Sequence, residues 1–228
     1  MTAHLLDRPV WSSLATRHAR FALGGDRARR FAPEIGPLAG SRDDEPESLA
    51  ELADLVPVDA TLLLLQTDPI VLPPSLVATT TAPGVQLVLE RLAEVAPDPA
   101  IVPLGPDDVP AMLALAALTR PGPFGPRTPE LATFFGVKDG DVLVAMAGER
   151  LAQPGYAELS GVCTHPDARG RGLARHLSAH VARRILGRGE TPYLHAYAGN
   201  APALALYESL GFRRRCAVNV AAVARVSL

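Results

Sequence analysis

Lysine is almost missing from this chain: Lys138 is the single lysine among 22 basic residues, and the others are arginine. Cysteine is scarce too. Cys163 and Cys216 share no metal-ligand spacing, so no thiolate metal site is expected, and both should be reduced thiols. Aromatic residues make up 5% and are not interleaved with the arginines, which argues against a stacking platform for single-stranded nucleic acid. An excess of either charge is also lacking. A formal net charge of −2 and a pI near 6.3 give no ground for a polyanion or an anionic membrane as main partner. The apolar run around 62–65, like every other in the sequence, is far too short to cross a bilayer. The first residues carry His4, Asp7 and Arg8 without the apolar core of a secretory signal, so a cytoplasmic location is expected.

What is present is apolar material and punctuation. With 228 residues and 48% hydrophobic content, the chain can bury one large core or two small ones. Prolines at 97, 99, 103, 106 and 110 suggest a boundary near residue 98, because proline removes a ladder donor and restricts its predecessor. Region 1–98 reads as mixed α/β: a strand and loop over 31–44, a helix over 47–56, a buried strand over 60–67, and turn chemistry at 79–84. Its segment 85–96 is a strand or a helix that periodicity does not settle. No chemical motif lies in it. Region 99–228 reads as a strand at 100–104, a helix at 109–118 and a proline- and glycine-rich loop at 121–129. Strands at 131–137 and 142–149 follow, joined by the hairpin signal Lys138-Asp139-Gly140. Then come a strand at 156–164, helices at 170–186 and 201–210 flanking a strand at 193–197, and a last strand at 217–226. The fold class is α/β (α+β), a sheet with antiparallel arms.

The most informative segment runs from Val162 to Arg175, where a strand exits through His165-Pro166 and a glycine-spaced turn opens a helix. Such a junction binds anions: the first N–H groups of a helix lack internal partners, the helix dipole is positive there, and glycine admits a phosphate close to the backbone. Arginines are abundant nearby, with nine from 169 to 215 against Glu190 and Glu208. The turn is neither a dinucleotide fingerprint, since Arg175 stands where a small residue is needed, nor a nucleoside triphosphate loop, since no Gly-Lys-Ser/Thr follows.

Arg169-x-x-Gly172-x-Ala174 directly after a strand resembles the coenzyme A signature of the GNAT superfamily of N-acetyltransferases. Downstream, Asn200-x-x-Ala203-x-x-Leu206-Tyr207 followed by Leu210-Gly211-Phe212 resembles the superfamily's second block, in the form seen in glycine N-acyltransferase-like proteins. Seven residues are two helical turns, so Asn200 and Tyr207 share a stripe about 10 Å long, with small Ala203 between them. Asn200 also suits an N-cap, with Pro202 in the first turn.

The resemblance covers roughly 100–215 and implies a GNAT-like, mainly antiparallel sheet flanked by helices, with region 1–98 as a possible degenerate half-copy. It further implies acetyl-CoA as cosubstrate and no metal. Backbone N–H groups of Arg169, Gly170, Arg171, Gly172, Leu173 and Ala174 would hold the diphosphate. The strand backbone at Val162, Cys163 and Thr164 would pair the pantetheine arm, Val162 N–H would face the developing oxyanion, and Asn200, Ala203 and Tyr207 would line the thioester. Tyr207 matches the position of the general acid, and packing as a core aromatic is its alternative role. Strand alternation puts Glu158 on the face of Ser160, Val162 and Thr164, which makes it the favoured base; a solvent-facing carboxylate is the alternative. His195 reads as an ordinary sheet histidine. The expected reaction is direct attack of a primary amine on the thioester. The acceptor would be a small amine, an amino acid or a peptide N-terminus. Neither nucleic acid nor membrane is an expected partner, and a homodimer is a possible state. A non-catalytic coenzyme A-binding module is the second reading.

Overall fold

The computed structural model describes residues 4–98 and 100–226. The first part runs α1 (Pro9–Ala15), β1 (Ala22–Gly24), β2 (Ala28–Phe31), β3 (Leu38–Ser41), α2 (Pro46–Leu55), β4 (Leu62–Gln66) and β5 (Leu76–Leu89). After the prolines come β6 (Val102–Pro103), α3 (Val109–Thr119), β7 (Phe135–Asp139), β8 (Val142–Gln153), β9 (Tyr156–Thr164), α4 (Leu173–Gly187), β10 (Thr191–Tyr197), α5 (Ala201–Ser209) and β11 (Phe212–Arg225). Four of the five α-helices carry proline in the first turn, where its missing N–H costs nothing.

All eleven strands join one sheet in the order β1-β2-β3-β4-β11-β5-β10-β9-β8-β7-β6. Strands from both sides of the boundary expected near residue 98 therefore interleave. The order has an internal logic: a helix, three antiparallel strands, a helix and two more strands occur once as α1 to β5 and again as α3 to β11. In each copy the third and fourth strands are parallel, β3 with β4 and β9 with β10. The last strand of each copy then crosses over, β11 pairing with β4 and β5 with β10, while β5 and β11 pair with each other. Topology thus carries the half-copy that the resemblance implied.

The turn expected at 79–84 is instead the middle of β5. Its three threonines favour a pleated strand. Pairing to β10 ends at Tyr197↔Gly84, so the stretch before Gly84 pairs with β11 on one side only, and Pro83 sits where its missing donor breaks no second ladder. Segment 85–96 is strand up to Leu89 and not helix. α1, β1 and β2 went unread in the sequence.

The largest core lies between the second half of the sheet and α4, whose Leu173, Leu177, Val181 and Ile185 recur every four residues and are all buried. A second core packs Leu6, Val10 and Leu14 of the N-terminal segment against Leu151, Tyr193 and Val218. Among the described residues no helix is long and apolar enough to cross a membrane.

Candidate active site

Parallel pairing of β9 and β10 runs only through Thr191↔Tyr156, Pro192↔Ala157 and Tyr193↔Glu158. Beyond Glu158 and Tyr193 the two strands continue without pairing to each other. β9 also bulges there: Met146↔Cys163 is followed by Gly148↔Ser160, so Gly161 and Val162 together oppose Ala147. Gly161 adopts φ +65°, and a Cβ on it would lie 2.7 Å from the Phe134 ring. A Cβ on Gly148 would lie 2.5 Å from the same ring, so both glycines make room for Phe134 beneath the bulge.

Two adjoining cavities open around this divergence, of about 440 and 210 Å³. The larger is bordered by Val162, Cys163 and Thr164 of β9, by Arg169, Gly170, Gly172, Leu173 and Ala174 of the loop and α4, and by Asn200, Ala203 and Tyr207 of α5. Sequence-expected cofactor residues thus converge on one cavity, with one departure. Arg171 does not border it, and its guanidinium turns to Asp139 at 3.3 Å.

The loop expected to take an anion leaves its backbone open. Gly170 and Gly172 take φ of +78° and +75°, and among the described residues no protein acceptor meets the backbone N–H groups of residues 170–175. The first carbonyl used within α4's opening turn is that of Gly172, which accepts from His176 N–H. Six amides at the positive end of a 15-residue helix are therefore left without a protein partner among the described residues. Thr164 Oγ1 is buried without a partner at the same cavity. These features suit the diphosphate and arm of a coenzyme A thioester. The corresponding β3–α2 junction of the first half reads Arg42-Asp43-Asp44-Glu45-Pro46, with acidic groups and no glycine, and no helix joins β4 to β5. Only the second half is built for an anion.

Tyr207 borders both cavities, and its ring meets Phe212 edge-on at 6.0 Å. Burial, reinforced by the negative charge of Glu158, pushes its hydroxyl up to about 12, so it stays a proton donor at neutral pH. No described residue takes its hydrogen bond. Asn200 Oδ1 caps α5 by accepting from Ala203 N–H at 3.3 Å. Cys163 lies on the far side of β9 against Met112, Leu115 and Phe134, and burial raises its thiol to about 11, which removes it as a nucleophile.

Glu158 requires a correction. It is 1% exposed, borders neither cavity, and has both oxygens occupied. Arg150 Nε and Nη2 donate to it at 2.9 and 2.8 Å, Leu151 N–H at 3.2 Å, and His195 Nδ1 lies 2.7 Å away. Burial alone would raise its carboxyl, but Arg150 and His195 outweigh that and hold it down to about 2. A carboxylate so engaged is not a base for an amine. The arrangement comes from a second bulge: Glu149↔Leu159 is followed by Ala152↔Ala157, so Arg150 and Leu151 both oppose Glu158.

His195, read in the sequence as ordinary, borders the smaller cavity. Gln86 Oε1 accepts from Arg215 at 2.9 Å, which turns Gln86 Nε2 toward Leu6 O at 2.9 Å and His195 Nε2 at 3.0 Å. The ring thus has Nδ1 against Glu158 and Nε2 against the Gln86 amide, so both nitrogens are engaged.

Divergent parallel strands, an open helix mouth and a tyrosine bordering two adjoining cavities make up the candidate site. The comparisons agree. FR47-like proteins match over residues 134–220. A GNAT-family protein from Novosphingobium aromaticivorans DSM 12444 is 42% identical, covers 99% of this chain and 100% of its own, and superimposes with a TM-score of 0.92. This chain belongs to the GNAT family. Mycothiol acetyltransferase of Brachybacterium faecium is 42% identical over 86 residues, 32% of this chain and 26% of that protein. The [ribosomal protein bS18]-alanine N-acetyltransferase of Salmonella typhimurium is 46% identical over 57 residues, 25% of this chain and 38% of that protein. The chain thus matches only about a quarter to a little over a third of these two relatives. They do not assign it to the glycine N-acyltransferase-like branch that the second block resembles.

Proposed function

We propose that the protein is an acetyl-CoA-dependent N-acetyltransferase acting on a primary amine. The observation that carries this reading is one cavity bordered both by Gly170, Gly172, Leu173, Ala174 and Arg175, whose backbone N–H groups have no partner among the described residues, and by Tyr207. Bound acetyl-CoA supplies the activated acetyl group. The chain's own part is to fix the diphosphate at the mouth of α4, lay the arm along residues 162–164, and present the carbonyl to the smaller cavity. The amine nitrogen bonds to the carbonyl carbon, the carbon–sulfur bond breaks, the amine's proton leaves to solvent, and Tyr207 donates to the departing sulfur. Tyr207 keeps its own proton through most of this step, because its hydroxyl is a weaker acid than a thiol. No side-chain base is assigned, since Glu158 and His195 are both committed to other partners. Free thiol released from acetyl-CoA across a panel of amines tests the reading, with no binding of acetyl-CoA as the refuting outcome.

A further inference from the structure

Every polar nitrogen of the Arg150 guanidinium except one is spoken for. Glu158 takes Nε and Nη2 as a fork, while among the described residues Nη1 has no acceptor. A Cβ built on Gly122 would stand 3.7 Å from that nitrogen, and Gly122 and Arg150 both border the smaller cavity, so Nη1 lies at its wall. Neither borders the coenzyme cavity. The side chain is 14% exposed, held by a carboxylate that is itself buried, so its free edge has a fixed aim. Leu63, Leu65, Val218 and Val220 make part of the wall apolar, His195 and Tyr197 add polar groups, and Arg120, which pairs with no acidic residue among those described, borders this cavity and the coenzyme cavity alike. No Asp or Glu side chain borders the cavity.

From this we infer that the acceptor is an apolar amino acid with its carboxylate free. Arg150 Nη1 receives the carboxylate, Glu158 acts as the positioning residue that aims it, and the leucines and valines take the side chain. The inference rests on the reading of the cavity as an acceptor site. With Arg120 unpaired and no carboxylate on its lining, the cavity disfavours an ammonium group relative to the neutral amine, which fits an attack carried out with no side-chain base. It also distinguishes a free amino acid from a peptide N-terminus, whose nearest carbonyl is an amide and carries no charge for Arg150.

The test compares leucine, leucinamide and isopentylamine as acceptors in a thiol-release assay, with acetyl-CoA affinity measured beside it. For the natural chain kcat/KM for leucine should exceed that for the other two by about tenfold or more, the scale of one charge-assisted contact. Arg150→Met with Glu158→Gln removes both charges together, so neither is left buried alone, and should bring the ratio near one with acetyl-CoA affinity unchanged. Arg120→Gly suits the left-handed backbone at φ 50° and should lower leucine turnover without touching the fold. Equal use of the three amines overturns the inference and leaves acetyl transfer standing. Release with none of them while acetyl-CoA binds also overturns it, and failure to bind acetyl-CoA overturns the underlying reading.

Discussion

Replacing Tyr207 by phenylalanine removes one oxygen and leaves the ring against Phe212, so the fold should persist. The size of the effect follows from the hydroxyl's environment. With its acidity pushed to about 12 against roughly 8.5 for an ordinary thiol, complete proton transfer to a departing sulfur is uphill by about 3.5 units, or roughly 5 kcal/mol. The group therefore acts as a hydrogen-bond donor to a sulfur that is gaining negative charge. Such a bond contributes about 1.5–3 kcal/mol, which corresponds to a loss of roughly ten- to hundredfold in kcat. Acetyl-CoA affinity should move little, because the bond strengthens only as the thiolate develops. Single-turnover thiol release and calorimetric binding on both proteins separate the two quantities. Unchanged turnover, or a loss confined to cofactor affinity, refutes the acid role.

Other consequences can be checked independently. His18 is buried with its pKa lowered to about 4, mainly by desolvation, so as pH falls from 6.5 the unfolded chain binds this proton first. Stability should be unaffected by it above pH 6.5 and decline between 6.5 and 4 by about 3 kcal/mol in total, and His18→Gln should flatten that slope in denaturant titrations. Glu158 acts in a lower window: its contribution is complete above about pH 4.5 and is lost as pH falls through about 2. Gly148→Val drives a side chain into Phe134 and should cost about 1–3 kcal/mol by thermal unfolding, with Phe134→Leu in the same chain recovering part of it. Gly172→Leu, forced to φ +75°, should abolish coenzyme A binding measured by calorimetry; retained affinity would count against the loop assignment.

Local signals were readable where the backbone itself is specified by residue type. β9 occupies 156–164 as expected, α5 begins at its asparagine cap, and the open turn before α4 follows from glycines at 170 and 172 that take positive φ. The stretch 79–84 was misread because its strand character comes from β11, more than 130 residues downstream, which no local window contains. Glu158 failed for a related reason. Alternation identified its face, but the bulge that delivers Arg150 to it lies on the neighbouring strand and interrupts the periodicity of β8. Arg150 and His195 had no sequence signal beyond their residue type. The crossed pairing of β4 with β11 and of β5 with β10, which brings Leu63 and Leu65 to the smaller cavity, is a property of the two halves together.

The central claim is that open amides at the mouth of α4 hold the diphosphate of the acyl carrier. The most direct measurement is an amide-resolved NMR titration with coenzyme A and, separately, with pantetheine, which lacks the nucleotide diphosphate. Coenzyme A should shift the amide signals of Gly170, Arg171, Gly172, Leu173 and Ala174, and pantetheine should leave them in place. Saturation by coenzyme A with those five amides unmoved would contradict the account.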